Sequence, residues 1–215
     1  MIFIYHNTKK IGTVGKTSIL TRYIKGKFVK IDINDRTINA SCFKKELMLD
    51  GVLFNLNIWD TAGEEKYHAM APIFYRGADG AVVIFDFTKK DTFNRAEKWF
   101  KELHEFAEGN PQIILVGNKI DLPNREVDSD SINELARKYN VNFLEVSALT
   151  GVNVNEIFNL LTKDIYEYKK KIVEENRKNS INENKERRGT RGSRKISIVS
   201  NSENKISQKR KDSCC

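Results

Sequence analysis

Four short apolar runs constrain this chain more than any other feature. Val52–Trp59, Ala81–Phe87, Ile113–Val116 and Phe143–Val146 are rich in β-branched and aromatic residues. Helix-like stretches lie between or beyond the later runs, at Asp91–Phe106, Asp130–Tyr139 and Asn155–Tyr168. Strands alternating with helices at this spacing predict βαβ units around a parallel sheet, an α/β fold. The runs read as continuous rather than alternating apolar strands, which fits a sheet buried on both faces. Asp50-Gly51 lies between two strand-like runs and is a hairpin turn signal. Ala40–Leu49 and Val52–Trp59 are therefore expected to pair antiparallel at a sheet edge. Asp91 reads as a helix N-cap. Phe93, Ala96, Trp99, Phe100 and Leu103 follow on one face, which makes Trp99 a core residue.

The 215 residues are 40% hydrophobic, enough for one domain and an appendage. The net charge of +8 is unevenly spread. Residues 1–167 carry 22 Lys+Arg against 23 Asp+Glu, a net of −1, while residues 168–215 carry 15 against 6, a net of +9. After Lys171 the aromatic residues vanish and Asn, Ser, Lys, Arg and Glu dominate. Such a segment buries too little apolar area to offset its ordering entropy. The expected organisation is a globular domain over 1–171 and a flexible basic tail over 172–215. A basic arm predicts an anionic partner, membrane or nucleic acid. Cys42, Cys214 and Cys215 make no disulfide framework, which predicts a reducing cytosol. No window approaches a membrane span, and Met1–Tyr5 is too short for a signal peptide.

Gly12-Thr13-Val14-Gly15-Lys16-Thr17-Ser18 precedes an amphipathic stretch, Ile19–Lys25. A Gly-rich turn entering a helix presents backbone N–H groups and a positive helix end to phosphate. Lys16 is placed to reach the β/γ-phosphates and the Thr17 hydroxyl to ligate Mg²⁺. The full phosphate-loop pattern asks for Gly at position 10, where this chain has Lys10. The residues before it are polar where an apolar strand is expected. Either Met1–Tyr5 is that strand and the loop is enlarged, or the first ten residues come from a wrong exon junction.

Three further elements each follow an expected strand. Asp60, in Trp59-Asp-Thr-Ala-Gly63, is placed to hold Mg²⁺ through water, and Gly63 lets an N–H approach a γ-phosphate. In Asn118-Lys119-Ile-Asp121, Asp121 can accept two N–H bonds from guanine, a pair adenine does not offer. Asn118 and the Lys119 stem would brace the ring. Ser147-Ala148 places an N–H where guanine O6 would lie. Each motif alone is common in loops; their joint order, at the C-terminal ends of strands, points to a guanine nucleotide site.

The sequence resembles the Rab family of small Ras-superfamily GTPases over about residues 11–167. Trp59-Asp-Thr-Ala-Gly-Glu-Glu, Ala71-Pro-Ile-Phe-Tyr-Arg-Gly-Ala78, Gly117-Asn-Lys-Ile-Asp-Leu122 and Cys214-Cys215 carry the likeness. Thr37-Ile-Asn-Ala-Ser41 and Tyr67-His-Ala-Met-Ala-Pro72 are most like the early-endosomal branch. The resemblance implies a P-loop NTPase-type, mostly parallel six-stranded sheet flanked by helices, with one antiparallel edge strand. It implies GTP hydrolysis, with GTP/GDP and Mg²⁺ bound. It makes Thr37 the switch I threonine that ligates Mg²⁺, and sets switch I at about 29–43 and switch II at about 61–78. Phe28 matches an aromatic that packs on guanine; plain core packing is the alternative reading.

Several positions depart from the family pattern. Glu64 stands where a Gln orients the attacking water, and an ionised Glu offers only acceptors. Slow hydrolysis is the expectation, and Thr13 adds to it by crowding the γ-phosphate. A scaffold that binds nucleotide without turnover is the rival reading. Leu149 replaces the basic residue that usually follows Ser-Ala. Cys42 replaces the Phe of the effector triad, whose other members are Trp59 and Phe74, with Ile38 beside them on the effector surface. Phe43 is adjacent, but one residue along a strand faces the other way.

Cys214-Cys215 resembles a double geranylgeranylation signal. Two lipid chains anchor stably where one does not, and Lys205, Lys209, Arg210 and Lys211 would add attraction to anionic lipid. The rival reading is a basic tail with two spare thiols. The implied partners are effectors, an exchange factor, a GTPase activator, a Rab escort protein with geranylgeranyl transferase, and a GDP-dissociation inhibitor. The expected state is a monomer on the cytoplasmic face of endosomal or vesicle membranes, with a cytosolic pool. Nucleic acid is not an expected partner, since the tail lacks aromatic residues for base stacking.

Overall fold

The computed structural model describes residues 2–5, 14–29, 41–60 and 77–191. The chain divides into two units, Met1–Lys171 and Ile172–Cys215. The first holds one six-stranded sheet made of β1 (Ile2–Tyr5), β2 (Ser41–Leu49), β3 (Val52–Asp60), β4 (Gly80–Asp86), β5 (Gln112–Asn118) and β6 (Asn142–Val146). The strand order is β2-β3-β1-β4-β5-β6. All neighbours run parallel except β2 and β3, which form the expected antiparallel edge. Their register runs from Ser41↔Asp60 to Leu49↔Val52, closed by Asp50 at φ 50° and Gly51 at φ 78°. Two consecutive left-handed residues make the turn whose twist matches the strands it joins.

Of the two readings of the N-terminus, the structure draws the strand. Ile2–Tyr5 pairs with β3 on one side and β4 on the other. The residues between Tyr5 and Val14, including Lys10, Gly12 and Thr13, lie outside the described residues.

The central strands β4 and β5 are buried on both faces, as their apolar runs predict, whereas β2 and β3 at the edge alternate exposed residues with buried or half-buried ones. All seven residues of β4 are buried, and alternate residues feed alternate cores. Ala81, Val83, Phe85, Ile113 and Leu115 join Trp99, Phe100 and Leu103 of α2 (Lys90–Phe106). Val82, Ile84, Ile114 and Val116 join Ile19, Leu20 and Tyr23 of α1 (Lys16–Lys25), together with Ile157, Phe158 and Leu161. Tyr23 stacks on Phe158 with ring centres 3.8 Å apart. Trp99 is a core residue, as expected.

Two expectations about helices are corrected. Asp91 is not the N-cap of α2: that position is Lys89, whose side chain makes no capping bond. The cap comes from elsewhere, because Lys90 N donates to Glu126 Oε2 at 2.9 Å. Thr92 meanwhile folds back, donating to Lys89 O at 2.7 Å and accepting from Asp86 N at 2.9 Å. By contrast α3 (Ser129–Tyr139) is capped locally, with Ser131 N donating to Asp128 Oδ1 at 2.7 Å.

The second correction concerns the extent of the last helix. α4 (Val154–Arg191) begins as expected and continues past Tyr168. Residues 172–180 are exposed, so burial does not hold them helical. Extending a formed helix costs little where Lys, Glu and Arg recur. Residues 192–215, with Cys214 and Cys215, lie outside the described residues. Among the described residues no helix is long and apolar enough to cross a membrane.

Candidate nucleotide site

The C-terminal ends of β3, β4, β5 and β6 converge with the start of α1, where an open α/β sheet binds ligands. Gly15 enters α1 at φ 91°, a left-handed conformation that a β-carbon would strain. A Cβ there would also stand 2.5 Å from Asn118 Nδ2. Gly at this position thus brings the helix entry into contact with β5.

Thr17 Oγ1 donates to Asp60 Oδ2 at 2.6 Å. Asp60 is 1% exposed, and its other oxygen, Oδ1, is buried and accepts no hydrogen bond among the described residues. Burial pushes its pKa above the ordinary carboxylate value, against the opposing pull of Thr17 and Lys16. Burial likewise pulls the Lys16 ammonium below the usual lysine range, with Asp60 offsetting part of the effect. Two opposite charges are therefore held in a site whose solvation they have largely lost. A buried anionic oxygen without a donor fits a divalent cation or its water. Val14 is 1% exposed and packs in the core beside α1, and Ser18 is half-buried.

Asn118, Asp121, Ser147 and Ala148, four of the residues expected around the base, are tied by hydrogen bonds of the protein itself. Asn118 Nδ2 donates to Val14 O at 2.7 Å, and Asn118 Oδ1 accepts from Ala148 N at 3.1 Å. The Ala148 N–H expected at guanine O6 thus has a protein acceptor that a base would have to share. Ser147 Oγ donates to Asp121 Oδ1 at 2.5 Å and accepts from Thr150 N at 3.0 Å. One Asp121 oxygen is occupied in this way. Lys119 sits at φ 72°, uncommon for a residue with a β-carbon and frequent at functional sites. Its ammonium pairs with Asp86 Oδ2 at 2.6 Å. Phe28 is half-buried and packs against the core that holds Val14 and Ile19. Leu149 is 50% exposed.

Three residues that tie the site or the helix beside it escaped the sequence reading: Asp86, Arg22 and Glu126. Asp86 is fully buried at the end of β4, level with Asn118 on β5, and also accepts from Thr88 N at 2.9 Å and Thr88 Oγ1 at 2.7 Å. A carboxylate ending a wholly apolar strand was the available signal. Arg22 and Glu126 act through backbone groups far along the chain, which leaves no local signal.

Of the residues expected on an effector surface, Cys42 is exposed and lies directly opposite Trp59. Trp59 packs on the α2 side of the sheet, while Phe43 packs on the α1 side, as the strand alternation requires. Phe43 therefore lies on the opposite face of the sheet from Trp59, as the one-residue offset predicts. Ile38, Phe74, Thr37, Gly63 and Glu64 lie outside the described residues.

Residues 11–167 match the model of the Ras family. A ras-related protein Rab-5B of Dictyostelium discoideum is 42% identical over 154 residues, covering 71% of this chain and 71% of that protein.

Proposed function

The chain belongs to the Rab family of Ras-superfamily small GTPases, and from this premise we propose that it is a GTP/GDP switch for endosomal membrane traffic. Members of this family bind GTP and GDP with Mg²⁺, hydrolyse GTP and act through effectors, exchange factors and GTPase activators. The observation that carries the reading is the Lys16–Thr17–Asp60 cluster. It holds desolvated charge of both signs at a helix N-terminus, which is what a phosphate–cation pair neutralises.

Thr17, Thr37 and Asp60 (through water) would hold Mg²⁺, which supplies positive charge against the β- and γ-phosphates. Lys16 would bind the same phosphates directly, together with N–H groups of Gly12, Thr13, Val14 and Gly15. Asp121 would select guanine, with Asn118 fixing the loops around it. Thr37 and Gly63 would sense the γ-phosphate and order the switch segments, and hydrolysis would release them. Glu64 at the water-orienting position brings negative charge to a phosphoryl group that is gaining it, so intrinsic turnover is slow and the GTP state long-lived. Two prenyl groups on Cys214 and Cys215, with the basic tail, would hold the protein on the cytoplasmic face of endosomes. The prenylation machinery and the GDP-dissociation inhibitor follow as partners.

Glu64 also favours a second reading, a scaffold that binds nucleotide without turning it over. The deciding measurement is the nucleotide content of the purified chain, released by denaturation and separated by chromatography, with Mg²⁺ present throughout. Bound guanine nucleotide supports the switch site, and folded protein without it overturns the reading. A single-turnover GTP assay then separates slow hydrolysis from none. A rate equal to that of Gln-bearing relatives removes the role given to Glu64.

A further inference from the structure

Arg22 on α1 reaches two loops at once. Nε donates to the Ala148 carbonyl at 3.0 Å, and Nη2 donates to the Leu149 carbonyl. Nη1 donates to the Gly26 carbonyl at 3.1 Å. Each guanidinium nitrogen thus has its own backbone acceptor. Two acceptors follow Ser147 beyond β6, and the third ends α1, two residues before Phe28. The side chain also runs along Gly151, where a Cβ would stand 3.7 Å from Arg22 Cδ and Nε. A planar fork can satisfy three fixed carbonyls, whereas a lysine ammonium is a single point of charge.

The Ala148 peptide is consequently gripped at both ends. Its N–H goes to Asn118 and its C=O to Arg22. Asn118 belongs to a motif at the end of β5, whereas Arg22 stands in α1 outside every motif named above. Leu149 contributes no charge of its own to a bound base, so the loop's hold depends on where its backbone stands.

We propose that Arg22 is a positioning residue for the guanine base, fixing the Ala148–Leu149 backbone against the turn that leads to Phe28 and thereby setting how long the nucleotide stays bound. The inference rests on the nucleotide-binding reading above. The hydrogen bonds of Arg22 go to neither Lys16, Thr17 nor Asp60, so its effect acts on the base and is independent of Mg²⁺.

The test uses the full chain loaded with a fluorescent GDP and chased with excess GDP, once with Mg²⁺ and once with EDTA. Arg22→Ala speeds release about tenfold in both conditions, in keeping with the loss of charge-assisted bonds. Arg22→Lys releases nearly as fast as Arg22→Ala. A second readout separates positioning from plain stabilisation: the ratio of affinities for GDP and 6-thio-GDP. Sulfur is the weaker acceptor for the Ala148 N–H, so the wild type prefers oxygen and Arg22→Ala narrows that preference. Release within twofold of wild type, or an unchanged ratio, overturns the proposal. Where Arg22→Ala fails to fold, Arg22→Gln, which keeps much of the side-chain volume, decides by the same two readouts. A folded wild-type chain that takes up no guanine nucleotide overturns the nucleotide reading itself, and is recognised before any variant is compared.

Discussion

On the base side of the site, Asn118, Asp121, Ser147 and Ala148 hydrogen-bond to one another or to Val14, and Lys119 is paired with Asp86. On the phosphate side, Lys16 and Asp60 sit in a site where burial disfavours both charges, and Asp60 keeps one oxygen without a donor among the described residues. The base side is finished by the protein alone, so a ligand there exploits geometry already in place. The phosphate side is finished only by a ligand's charges, so its binding energy comes from relieving a cost of the fold. Substitutions on the two sides should therefore separate stability from affinity.

The largest effect is expected at Lys16. Lys16→Ala should weaken GDP binding by about a hundredfold or more, the scale of a lost charge-assisted phosphate contact of roughly 3 kcal/mol. Urea unfolding of the nucleotide-free protein should change by less than about 1 kcal/mol, because burial already disfavours that charge. Fluorescence titration and denaturation on one preparation give both numbers. A large loss of stability with affinity retained would break the comparison.

Asn118→Ala should do the reverse in proportion. Two buried hydrogen bonds are lost, so stability should fall by about 2–4 kcal/mol even without nucleotide. An unchanged urea midpoint would mean that the base side is not self-supporting.

Asp60 adds a pH signature. Its pKa is raised in the fold by burial, so the folded protein keeps that proton to higher pH than the unfolded chain does. The group therefore favours the fold fully below its ordinary value of 3.8, and this contribution is lost as pH rises through the raised value. Nucleotide-free protein should lose stability across that interval, and Asp60→Asn should flatten the slope. Melting curves over a pH series check it; an unchanged slope in the variant removes Asp60 as the cause.

The smallest effect is expected outside both sides. Glu126→Ala removes the borrowed cap of α2 and should cost about 1 kcal/mol without altering GDP release. A change in release would show that α2 is coupled to the site.

The sequence made much of this architecture legible because period and composition are local. Continuous apolar runs announced β4 and β5, and Asp50-Gly51 announced the β2–β3 hairpin and its side of the sheet. Motifs at strand ends announced Thr17, Asp60, Asn118, Asp121 and Ser147, which the fold gathers as read. The failures were non-local. Glu126 caps a helix that begins 36 residues before it, and Arg22 holds carbonyls more than 120 residues away. The tail shows a different limit. Its composition excludes burial, yet a helix begun in the core at Ile157 and Phe158 can run on without it.

The position of β1 has a consequence for assembly. In the order β2-β3-β1-β4-β5-β6, these four residues are, among the described residues, the hydrogen-bonded join between the hairpin half and the parallel half of the sheet. Ile4 lies level with Asp60 on one side and Val82 on the other, so the join also sets the height of the phosphate-side carboxylate. Both partners of β1 are synthesised more than fifty residues after it, and such long-range closure slows folding. Joining the two halves of the sheet therefore depends on long-range pairing at Ile2–Tyr5.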